Sequence, residues 1–113
     1  MHELSLAEEM MDIILQKARK ERFTKVTHIY LEIGQLSHVT PEAMRFCFEA
    51  VIKNTLAEGA KLSIIETEGQ ALCLSCGHTN SITELYSACE ECGGFDLKVL
   101  SGDQVRIKNL EVI

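Results

Sequence analysis

The sequence predicts an α/β (α+β) fold: two helices packed on a small three-stranded sheet, with a second, cysteine-rich domain nested inside it. Two segments repeat apolar residues at helical spacing, and three others alternate them as strands do. Four of the five cysteines fall within residues 70–102, a stretch with few large apolar side chains. Such a stretch needs a staple to fold. It lies between the second and last expected strands. The expected division is therefore residues 1–69 plus 103–113 for the α/β domain, and 70–102 for the insertion.

The first helix is expected from Leu6 to about Arg22. Leu6, Met10, Ile13, Ile14 and Leu15 recur at helical spacing beside a charged face. Ser5 followed by Glu8 reads as a capping box at its start. The run "VTHIYLEIG" alternates Ile29, Leu31 and Ile33 and closes at Gly34. Thr40-Pro41 then supplies an N-cap and a proline at the first helical position. The second helix turns Ala43, Phe46, Cys47, Ala50 and Val51 inward and stops near Gly59. "AKLSIIETE" gives a second strand, with Leu62 and Ile64 on one face. "QVRIKNLEVI" gives the last, where Leu110 and Val112 are slipped by one from Val105 and Ile107. That slip predicts a bulge near Asn109.

Composition narrows the function classes. A chain of 113 residues is one domain by length, or one domain with a small satellite. No apolar run reaches the roughly 18 residues that span a bilayer. No basic segment followed by an apolar one opens the chain. The expectation is a cytoplasmic protein without membrane insertion. The formal charge of −6 argues against binding along a nucleic-acid backbone, which calls for a basic face. The basic run from Lys17 to Arg22 reads as the solvated end of a helix.

Cys73-Leu-Ser-Cys76 and Cys89-Glu-Glu-Cys92 are two C-x2-C knuckles separated by twelve residues. Each lets two thiolates reach one ion from a tight turn, and Gly77 and Gly93 supply the positive φ such a turn uses. Four sulfurs make a closed tetrahedral site, the usual structural Zn(II) arrangement. The insertion thus reads as a zinc-ribbon-like domain. Disulfides are disfavoured without an export signal, and a redox dithiol would not come as a matched pair. A closed site leaves no position for a substrate. His78, just past the first knuckle, is a candidate alternative ligand. His28 and His38 read as surface or capping residues, and Cys47 as a plain buried thiol.

The opening Met1-His2-Glu3 offers a second donor set. The amine of Met1, the backbone nitrogens of His2 and Glu3 and the His2 imidazole can close fused small rings around one ion. Four nitrogens in a plane suit Ni(II) or Cu(II). The alternative is an idle terminal histidine, and spacing alone does not separate the two readings.

Met1-His2-Glu3, Leu31-Glu32-Ile33-Gly34-x-Leu36-Ser37, Thr55-Leu56-Ala57-Glu58-Gly59-Ala60, the paired knuckles and Gly102-Asp103 follow one another in an order that resembles the HypA/HybF family of hydrogenase nickel-incorporation proteins. The resemblance covers nearly the whole chain. It implies a nickel metallochaperone rather than an enzyme. Zinc would be held by Cys73, Cys76, Cys89 and Cys92, and Ni(II), as cargo, by Met1, His2 and Glu3. It further implies work with the GTPase HypB and delivery to the precursor of the [NiFe]-hydrogenase large subunit. Some relatives carry a histidine after both knuckles; here His78 follows the first, and Gly93-Gly94 follows the second. Two other classes compete with cargo delivery. One is a zinc-stapled adaptor for protein interaction, without cargo. The other is a zinc-ribbon nucleic-acid module, which the charge of residues 70–102 opposes: Lys98 stands alone against Glu84, Glu90, Glu91 and Asp96.

Overall fold

The computed structural model describes residues 3–113. Its elements run in the order α1 (Glu3–Glu21), β1 (Val26–Gly34), α2 (Pro41–Val51), β2 (Lys61–Thr67), β3 (Gln70–Cys73), β4 (Thr79–Ser81), β5 (Leu97–Ser101) and β6 (Val105–Val112). They form two three-stranded sheets, ordered β2-β1-β6 and β4-β3-β5. The strands of the second sheet come, in chain order, between two strands of the first. None of the described helices is long and apolar enough to cross a membrane.

The expected three-stranded sheet is present, with β1 at its centre. β2 pairs with it in parallel through the α2 crossover, as a parallel pair requires. β6 lies antiparallel on the other side. Alternation along β1 buries Ile29, Leu31 and Ile33 on the helix-facing side. The opposite side carries His28, which stacks on Tyr30 at 4.1 Å and meets Ser63 Oγ at 2.6 Å. His28 is thus a satisfied surface residue. The slip in β6 is also present: Tyr30 faces Asn109 but Leu31 faces Ile107, so Lys108 is skipped. The bulge sits one residue before its expected position.

Four local expectations are corrected. α1 starts at Glu3, an acid in the first turn, so Ser5 lies inside the helix and is not its cap. Its buried face is Ala7, Met10, Met11, Ile14 and Ala18, while Ile13 stays exposed. In α2 the Thr40 hydroxyl does accept from Ala43 N and Pro41 opens the helix. Its fully buried residues, however, are Met44 and Phe48; Cys47 and Val51 do pack partly buried against the core, whereas Phe46 is 75% exposed and Ala50 faces water. α2 also ends at Val51, well before Gly59. Asn54 has φ +62° and the Thr55 hydroxyl bonds Ile52 O at 2.6 Å, so the chain leaves the helix in turns.

Three glycines hold the two sheets close. A Cβ on Gly34 would overlap the Gly102 carbonyl, and one on Gly102 would lie 2.6 Å from Glu68 O and Gly69 Cα. Gly102 has φ +85°, a conformation natural to glycine. Leu36 N donates to Gly102 O at 2.7 Å, and the Leu36 side chain packs with Ala71 of β3 and Ile82 just past β4.

Candidate metal centre

The four clustered cysteines meet at the far end of the smaller sheet. Cys73 ends β3, so the first knuckle hangs from a strand. Both turns close alike: Gly77 N donates to Cys73 O and Gly93 N to Cys89 O, each at 2.8 Å. Each cysteine that opens a knuckle then donates its own N–H back across the turn, Cys73 to His78 O at 2.9 Å and Cys89 to Gly94 O at 2.7 Å. Gly77 and Gly93 have φ of +82° and +72°, the left-handed backbone expected there. The two knuckles therefore present their sulfurs in matching fashion.

All four Sγ atoms lie within 4.8 Å of one another. The Cys73–Cys92 and Cys76–Cys89 pairs stand 3.6 Å apart. A tetrahedron with Zn–S bonds of ~2.3 Å has edges of ~3.8 Å. The spacing fits, and the group can hold a metal such as zinc. Cys73 and Cys89 face inward, and Cys76 and Cys92 face water.

The sulfurs differ electrostatically. The backbone N–H of Cys92, helped by that of Glu91 and by the Asn80 side chain, pulls Cys89 down to about 6. The His78 backbone N–H also pulls on Cys76, yet desolvation and its three neighbouring thiols push Cys76 up to about 12. Four such groups cannot all ionise beside one another unaided. A divalent cation removes that conflict, and protons compete with it for the site.

Among the described residues, the potential metal-holding group consists of these four cysteines. His78 Nε2 stands 3.8 Å from Glu90 Oε1. Cys47 is half-buried on α2, apart from the cluster. Glu3 opens α1, while Met1 and His2 lie outside the described residues. Sequence reading missed Asn80, which is 1% exposed and bonds the His78 carbonyl just past the first knuckle and Cys89 and Glu90 of the second. Its position between two C-x2-C motifs was the only signal, and that says nothing of where an amide points.

Residues 1–112 match the family described as HypA, hydrogenase/urease nickel incorporation, metallochaperone. The chain is 52% identical to the hydrogenase maturation factor HypA of Bradyrhizobium sp. (strain ORS 278), and 49% identical to that of Albidiferax ferrireducens. Each alignment covers 99% of both chains. In fold it is similar to the solution structure of the Ni metallochaperone HypA from Helicobacter pylori, with a TM-score of 0.76 at 24% identity. That likeness covers 100% of this chain and 98% of the other. The whole-length family match, the level of identity and the shared fold agree: this chain belongs to the HypA family of nickel-incorporation metallochaperones for hydrogenase maturation.

Proposed function

We propose that the chain carries Ni(II) on Met1, His2 and Glu3 and hands it, with the GTPase HypB, to the precursor of the [NiFe]-hydrogenase large subunit in the cytoplasm. The observation that carries this reading is the family match beginning at residue 1, which places Met1-His2-Glu3 inside the matched pattern. The start of α1 supports it. The first N–H groups of a helix have no partner within it, so the amide of Glu3, in the first described turn of α1, can serve as a ligand nitrogen. A cation at that end opposes the helix dipole. Two deprotonated amides and the Glu3 carboxylate offset the charge.

The second part of the proposal is that Cys73, Cys76, Cys89 and Cys92 hold a structural Zn(II), and that residues 70–102 form a domain inserted into one built from 1–69 and 103–113. Zinc there supplies folding energy and no chemistry. HypB docks on the exposed face of α1, beside the cargo, where a short transfer path favours handover. The chain transfers a metal and is not an enzyme.

Calorimetric titration with Ni(II) tests the cargo site. One residue added before Met1 removes the free amine from the ring system and shifts every chelate ring, so nickel binding is lost although His2 and Glu3 remain. His2→Ala abolishes it by removing the imidazole, while zinc content stays unchanged in both. Affinity falls with pH, because protons compete for the amine, imidazole and amides. An extended chain that binds nickel as tightly as the native one would refute the site.

A further inference from the structure

Asn80 is the buried polar residue of the described chain, and both ends of its amide are hydrogen-bonded. It sits in the middle of β4, paired with Ala71 of β3. Its Nδ2 donates to His78 O at 3.3 Å and to Cys89 Sγ at 3.5 Å, and its Oδ1 accepts from Glu90 N at 3.0 Å. Chemistry fixes the amide orientation. With oxygen and nitrogen exchanged, the oxygen would face a carbonyl and a sulfur, and the NH2 would face an N–H.

The two knuckles are not equally supported. The first leaves β3 and returns to β4, so the ladder between those strands holds it. The second lies on the connection between β4 and β5, where no strand or helix carries Cys89 or Cys92. Asn80 bridges this gap, joining the carbonyl after the first knuckle to an amide and a sulfur of the second. We infer that Asn80 is the positioning residue of the metal centre: it sets the second knuckle against the first and donates a hydrogen bond to the Cys89 thiolate. The inference rests on the zinc reading above. Buried partners of metal ligands typically change metal affinity about 10–100-fold when removed.

The native chain loaded with an NMR-active cadmium isotope provides the direct test. A hydrogen bond to a metal-bound sulfur transmits a scalar coupling between the metal and the donated proton. We expect that coupling at one Asn80 side-chain proton, together with slow exchange of that proton. Four-thiolate cadmium without the coupling, and with Asn80 exchanging like an exposed amide, would overturn the inference and leave the metal site standing. Failure of the native chain to take cadmium on four thiolates would sink both. Asn80→Ala should then weaken cadmium affinity about 10–100-fold, while Thr79→Ala, an exposed change on the same strand, should leave it unchanged. Equal affinity in the two variants would also count against Asn80.

Discussion

The two sheets of this molecule are held by different forces. The larger one closes over a cluster that holds twelve buried residues among those described, Ile14, Leu31, Met44 and Phe48 included. The smaller one has three, Leu36, Ala71 and Ile82, and Leu36 comes from outside residues 70–102. Burying a large apolar side chain is worth roughly 1.5–3 kcal/mol, so the first sheet has far more core to fold on than the second. What the second has besides is the cluster of four sulfurs, two facing inward and two facing water, which can hold a metal such as zinc. On the proposed reading this division suits a carrier, since the scaffold behind the N-terminal cargo site would not depend on the metal proposed to staple residues 70–102.

Breaking the core should show the first half of the comparison. Phe48→Ala removes a side chain that is 1% exposed, and about 3–5 kcal/mol of stability to urea should go with it. Phe46→Ala, two residues along the same helix but facing water, should stay within about 0.5 kcal/mol. Equal losses would mean that α2 packs on its other face.

The junction comes next in size. Gly102→Ala forces a side chain onto left-handed backbone at φ +85° and into contact with Glu68 O. The backbone alone costs about 1–3 kcal/mol, and amide exchange should quicken around Gly34 and Gly69. Unchanged exchange there would show that the two sheets are not locked through these glycines.

The smallest effect is electrostatic. Arg106 Nε donates to Glu32 Oε2 at 2.7 Å across the open face of the larger sheet, and this hydrogen bond holds the Glu32 carboxyl below the usual carboxylate range. A depressed carboxyl stabilises the fold above its unfolded value and loses that contribution as pH falls through the folded one. Glu32→Gln should therefore shift acid unfolding of the larger sheet slightly, and do so less in high salt because Arg106 is exposed. A salt-independent difference would point to packing instead.

How far the sequence was legible followed the strength of each local signal. β1 was readable to its ends because alternation of Ile29, Leu31 and Ile33 admits one register, and Gly34 closes it. The cysteines were readable because two identical spacings leave few chemistries. Thr40-Pro41 fixed the start of α2, but not its buried face. Ala43, Met44, Phe46, Cys47, Phe48, Ala50 and Val51 surround so much of that short helix that periodicity cannot choose, and packing against the rest of the core decides. The same applies to Ile13 and Met11 in α1. Asn80 left no trace, because its role depends on a contact between two turns that only the folded chain brings together.

Amide hydrogen exchange on the zinc-loaded protein, and again after a strong chelator has removed the metal, tests the division most directly. Structural zinc sites contribute folding energy outright. Stripping the metal should erase protection across β3, β4 and β5 while β1, β2, β6 and both helices keep theirs. Protection that persists in the smaller sheet, or that is lost from both sheets together, would contradict the claim that metal holds one and an apolar core the other.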